Sequence, residues 1–188
     1  MLDLLALAVA WPLLGALLTA MSPRWAPAIG IPMAVGVTLN ALWLVFAVME
    51  RGPLVSDLGG WGVPLGISLR ADGLAAAFLV MVNLVGLGVS IHANGYFAAS
   101  KTSPHFWPLW FLLWTGLNAL WVSGDLFNLY VTLELIGMSA GALGALGGTR
   151  EAVAANLRYL LFGLAGSMTY LLGVSLLYIA YGSLYRLR

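Results

Sequence analysis

Two charged side chains stand inside stretches that are otherwise apolar. Glu134 lies in Gly124-Asp-Leu-Phe-Asn-Leu-Tyr-Val-Thr-Leu-Glu134-Leu-Ile-Gly-Met-Ser-Ala-Gly141, and Arg158 lies in the apolar run that follows. About ten residues of helix, at ~1.5 Å each, carry the glutamate near the middle of a bilayer. An acid at that depth costs about 3 kcal/mol or more, so it is rarely kept for packing alone. Its chemistry would be proton loading and release. Desolvation favours the neutral acid, a nearby cation favours the carboxylate, and a group balanced between them exchanges protons near neutral pH. The competing reading is interhelical glue, a glutamate held permanently by a neighbouring helix or cation.

Residues three and four apart share a helix face. Around Glu134 that face holds Tyr130, Val131, Gly137 and Met138, with Gly141 one turn on and Gly144 and Gly148 beyond. Gly137 and Gly141 form the small-xxx-small spacing that lets a second helix approach, whether for plain packing or to orient the acid inward. Arg158 falls about two turns into the next helix. Its depth differs from that of Glu134 by roughly 10 Å, too far for a direct ion pair unless the arginine reaches inward or water bridges. Snorkelling outward to the headgroups is the alternative. Asn118, Thr115, Ser167, Thr169 and Tyr170 either line a hydrated path or bond to neighbouring helices and backbone. His92 and His105 lie at span ends. Trp107, Trp110 and Trp114 mix interfacial anchoring with packing. Asp72 and Asp125 read as helix N-caps.

The elements that must position these groups are membrane helices. Only 8% of the residues are charged and 62% are hydrophobic, with a net charge of +1. Soluble domains carry about a quarter charged residues, so the fold class is an all-α, polytopic membrane helix bundle. Six spans are expected, at about 2–20, 28–49, 73–96, 104–122, 126–146 and 151–181, forming one membrane domain. Pro12 is expected to kink the first, which is read as a retained span because it lacks a basic leader and a clean cleavage site. Residues 52–72 do not fit a span. Their glycines, prolines and partial alternation predict a short hairpin-like segment on the membrane face.

With the N-terminus outside, the inner loops hold Arg24, Lys101 and Arg150. The outer loops hold Arg51 and Arg70 among acids, and Arg186 and Arg188 fall outside against the rule, so the orientation bias is slight. Lys101 is the only lysine and there is no cysteine, which excludes disulfides, thiolate metal sites and iron–sulfur ligation. No metal, cofactor or catalytic motif is present and no patch suits nucleic acid; there is no His-Glu-x-x-His, no Gly-x-Ser-x-Gly and no phosphate-cradling loop.

Gly124-Asp-Leu-Phe-Asn-Leu-Tyr-Val131 with Glu134 resembles the fifth helix of the large antiporter-like subunits of Mrp-type multisubunit cation/proton antiporters, membrane-bound hydrogenases and respiratory complex I. Leu58-Gly-Gly-Trp-Gly-Val-Pro-Leu-Gly-Ile67 with Arg70-Ala-Asp72-Gly-Leu74 resembles the segment before their third helix. Asn156-Leu-Arg-Tyr-Leu-Leu-Phe-Gly163 and Leu177-Tyr-Ile-Ala-Tyr-Gly-Ser-Leu184 resemble the start and close of their sixth. The wording leans toward the D-type subunit of the Mrp antiporters.

The resemblance implies a multi-pass protein of the plasma membrane that handles protons, with Na⁺ as the expected exchanged cation. Glu134 would be a proton-path residue, electrostatically paired with a lysine on a broken seventh helix. Arg158 stands where relatives often carry lysine. It keeps the charge but hardly deprotonates, which leaves it electrostatic tuning rather than relay. Family members have about fourteen helices in two inverted repeats, and this chain matches the first six. The expectations are that it transports no ions alone, and that other membrane subunits, one supplying the later helices, are its partners. A natural split and a truncated reading frame both fit. The rival functions are a scaffold, or a proton-pumping subunit of a redox complex.

Overall fold

A computed structural model describes residues 3–58, 66–97 and 103–182. Lys101, Arg186, Arg188 and the centre of the 52–72 segment lie outside the described residues. Six helices follow one another, α1 (Leu4–Met21), α2 (Ala26–Arg51), α3 (Gly73–Tyr96), α4 (Ser103–Val122), α5 (Leu126–Gly144) and α6 (Arg150–Tyr181). Each begins and ends within about two residues of its sequence-based span. A 3-10 turn at Pro23–Trp25 links α1 to α2.

Three helix starts are fixed in the same way. The carboxylates of Asp3, Asp72 and Asp125 accept backbone N–H groups of the first turns of α1, α3 and α5, satisfying donors that a helix leaves unpaired. These starts share one end of the bundle with the predicted hairpin. There β1 (Leu54–Asp57) pairs antiparallel with β2 (Ser68–Ala71), with Leu54 opposite Ala71 and Asp57 opposite Ser68. The Ser123-Gly124 turn joins its edge, with Leu69 bridged to Ser123 and Gly124 N–H donating to the Ser68 carbonyl at 2.8 Å. Ser56 hydrogen-bonds Asp3, so the hairpin also grips the start of α1.

Among the described residues, α1, α2, α3, α5 and α6 are long and apolar enough to cross a membrane. Helix α4, which carries His105, four tryptophans and Asn118, is enclosed by protein along most of its length. It packs against α1, α2, α3 and α5, and Trp107, Phe111, Trp114 and Val122 are fully buried. The tryptophans of α4 are therefore packing residues. The Trp107 ring fills the place of a side chain at Gly30, where a Cβ would sit 2.3 Å from Cε3, and Trp114 does the same over Gly86 at 2.6 Å.

A buried polar network ties α1, α2, α3 and α4 together. Asn83 on α3 donates to Asn118 Oδ1 at 2.9 Å, and Trp114 Nε1 donates to Asn83 Oδ1 at 2.9 Å. Thr38 on α2 donates to the Asn83 carbonyl at 3.2 Å. Asn118 Nδ2 donates to the Ala8 carbonyl on α1 at 2.9 Å. That last bond has a backbone cause. Helix α1 continues through Pro12, whose missing N–H leaves the carbonyl four residues back without its helical donor. In hydrocarbon such a group needs a substitute, and Asn118 supplies it.

Candidate functional site

Helix α5 leaves the Ser123-Gly124 turn under the Asp125 cap. Glu134 is eight residues beyond the first helical residue, Leu126, about 12 Å along the axis and near the middle of the helix. One side of α5 seats on α4, where Ile136 approaches Gly116 to 2.8 Å from its Cβ position and Thr132 and Ser139 are buried, each bonded to a carbonyl of its own helix. Another side meets α6. Leu160 packs over Gly141 and Asn156 over Gly144. Tyr130 stacks on Tyr170 at 6.5 Å, and the Tyr170 hydroxyl donates to the Leu126 carbonyl at 3.2 Å.

Glu134 lies at the edge of this α5–α6 seam. Tyr130 and Gly141 flank it on the seam side by the helical repeat, while Phe127, Val131 and Met138 on its other side are about half exposed, at 50%, 47% and 56%. The expected inward orientation is thus met on one flank only. Oε1 of Glu134 is buried and has no hydrogen-bond partner among the described residues. Asp125 Oδ2 shares that condition, although its other oxygen serves as the α5 cap.

The glycine strip divides. Gly141 and Gly144 take close contacts from α6, whereas Gly137 has open space where a Cβ would stand. The expectation that Gly137 seats a neighbouring helix is not met within the described chain. The face that it shares with Glu134 is uncovered.

Arg158 is not brought to Glu134. The α6 side chains that meet α5 are Asn156, Leu160, Tyr170 and Val174. Arg158 is two residues from both Asn156 and Leu160, roughly 200° around the helix from that stripe. It is exposed and has no hydrogen bond or ion pair among the described residues. Between the Gly141–Leu160 and Tyr130–Tyr170 contacts, Gly166 and Ser167 stand level with Glu134, so Arg158 is also about 12 Å away along the axis. It lines a surface hollow of about 340 Å³ with Arg150 and Glu151.

The remaining polar candidates resolve toward bonding with helices. Asn118 belongs to the buried network, Thr115 donates to the Phe111 carbonyl at 2.7 Å, and Ser167 and Thr169 bond carbonyls of their own helix. His92 is exposed and stacks on Tyr96, and His105 is exposed. Sequence reasoning passed over Asn83, which carries the centre of the network. Its signal was a single amide in the middle of an otherwise apolar span. Among the described residues no cluster of histidine, aspartate and glutamate could hold a metal.

No family model matches the chain. Individual proteins do. The D-type subunit of the Na(+)/H(+) antiporter of Alkalihalophilus pseudofirmus is 31% identical over 150 residues, covering 80% of this chain and 30% of that protein. The N-type subunit of the NADH-quinone oxidoreductase of Desulforudis audaxviator is 38% identical over 179 residues, covering 89% of this chain and 36% of that protein. A chain of the membrane-bound sulfane sulfur reductase, an archaeal respiratory membrane complex, superposes with a TM-score of 0.88 at 31% identity, covering 96% of this chain and 38% of that one. The chain therefore spans about a third of the length of the relatives it matches. Over that third, in sequence and in fold, the chain belongs to the antiporter-like membrane-subunit family.

Proposed function

We propose that the chain forms the first six helices of an antiporter-like subunit in a multisubunit monovalent cation/proton antiporter, and that Glu134 carries protons. The observation that supports this is the buried, unpartnered Oε1 near the middle of α5, beside an apolar face that nothing in the described chain covers. An unpaired acid at that depth is costly, and a proton or an added donor relieves the cost. Further helices, from the same polypeptide or another, cover Val131, Gly137 and Met138 and complete the surroundings of the carboxyl. Gly141 holds α5 against α6. Arg158 acts on the site as a charge at a distance, through a medium that screens little, and not as a relay. The exchanged cation is proposed to be Na⁺, after the relative that names it.

A second reading has its own support. The match to a quinone oxidoreductase subunit runs over 179 residues, against 150 for the Na⁺/H⁺ antiporter subunit, and the fold superposes on a respiratory complex. Here the same proton path is driven by electron transfer in partner subunits. In a third, the subunit is a scaffold and Glu134 is glue.

Glu134→Gln in the assembled membrane complex separates carrier from glue. The amide keeps the shape and loses the titration. Proton-coupled cation flux, or redox-driven proton uptake, should fall about a hundredfold or more, with the complex still intact on a native gel. Full flux with a less stable complex would sink the proton role and leave the scaffold.

A further inference from the structure

The outer surface of α1 and α2 carries a groove that the proton path does not use. Its cavity is about 650 Å³, walled by Leu7 and Trp11 of α1 and Leu39 and Trp43 of α2. Its polar lining groups are Asn40, in a long 3.5 Å contact to the Leu4 carbonyl, and Arg51. Arg51 ends α2 beside the hairpin, is exposed, and has no hydrogen bond or ion pair among the described residues.

We propose that this groove is a phospholipid site, with one acyl chain between α1 and α2 and the phosphate on Arg51. Three features choose that occupant. The groove runs along the helix axes, the direction of a lipid tail, and its walls are apolar. Its cationic end lies where α2 stops, at the membrane face that carries the hairpin, which is headgroup depth. Its lining ends at Trp11 and Gly36, where the indole lies over the glycine with Nε1 2.6 Å from the position of a Cβ there. From Arg51 to Gly36 is 15 residues, about 22 Å of helix. That matches one leaflet, whereas a spanning partner helix needs a track across a hydrocarbon core of about 30 Å. Arg51 offers a guanidinium fork suited to phosphate oxygens. Glu50 beside it is also exposed, so the site reads the phosphate rather than a large net negative charge.

The test is native mass spectrometry of the full chain in mild detergent, offered phosphatidylglycerol or, as a probe without phosphate, a neutral diacylglycerol with the same chains. One phosphatidylglycerol should be retained per chain, with about tenfold preference over the diacylglycerol. Arg51→Gln should abolish that preference. Leu39→Trp, which fills the groove, should remove retention of both probes. Equal retention of the two probes by the unaltered chain overturns the headgroup assignment without any variant. Undiminished retention in Leu39→Trp shows an unspecific lipid annulus and overturns the groove. Crosslinking of Leu39→Cys to a second polypeptide in native membranes assigns the groove to a protein partner and overturns the proposal.

Discussion

The helices α1–α4 and the pair α5–α6 obey different packing rules. In the first region, large rings sit against glycines, a fully buried amide network joins four helices, and each helix has a covered face. In the second, α6 touches mainly α5 and is exposed along most of its 32 residues. Nonpolar exposure is normal toward lipid. Yet the α5–α6 arm also carries the unpaired carboxylate oxygens of Asp125 and Glu134, whereas the unpaired buried atom of the first region among the described residues is the uncharged Trp107 Nε1. On the proposed function the second region is the half of an interface that further helices complete. The costly charge then sits in the half that an arriving helix can reach, with the first region as its base.

Glycine substitutions break this comparison most sharply. Gly30→Ala pushes a methyl group into the buried Trp107 ring, with the nearest atom 2.3 Å away. The expected loss is about 3 kcal/mol, read as a large drop in the detergent melting temperature of the chain. Gly137→Ala meets open space, and alanine favours the helix by up to about 1 kcal/mol. It should leave the melting temperature of the isolated chain unchanged or raise it. Similar losses at the two positions would mean that the arm is as tightly packed as the base.

The amide network gives the next largest effect and has its own control. Asn118→Leu strips the Ala8 carbonyl of its substitute donor and leaves Asn83 short of a partner, at about 2 kcal/mol. Pro12→Ala restores an N–H four residues after Ala8, so the helix can satisfy that carbonyl itself. In the Pro12→Ala background the penalty of Asn118→Leu should therefore shrink measurably. Additive penalties in the double variant would separate Asn118 from the proline and reduce it to an ordinary packing amide.

Much of this was legible in the sequence, for identifiable reasons. Span ends were marked by Asp72, Asp125 and the glycine- and proline-bearing turns, and the hairpin by a segment that could not be helical. What local spacing could not supply was rotation. Gly137 and Gly141 are equivalent in a small-xxx-small pattern, but only Gly141 faces Leu160. The depth of Arg158 followed from counting, whereas its outward direction needed the stripe that α6 lays on α5. The central place of α4 was hidden for a related reason. Its tryptophans, proline and asparagine lower its apolar character, and only the tertiary arrangement shows that it is surrounded by protein. Asn83 looked like one polar residue in an apolar run until Asn118 stood opposite it.

The smallest effect discriminates most finely between the two regions. Gly141→Ala brings a methyl group to 2.8 Å from Leu160 Cδ2, the mobile end of a side chain on the half-exposed seam. Leucine can shift there, so the cost should stay under about 1 kcal/mol, and it should be the same in the isolated chain and in the assembled complex, because α6 is present in both. Gly137→Ala should behave otherwise. Silent in the isolated chain, it should lower complex stability or assembly once a further helix lies over Glu134, since the added methyl group would hold that helix off. Thermal unfolding of the isolated chain set against dissociation of the complex measures the difference. A Gly137→Ala variant that remains silent in both would place the missing partner elsewhere and leave the Glu134 face to lipid.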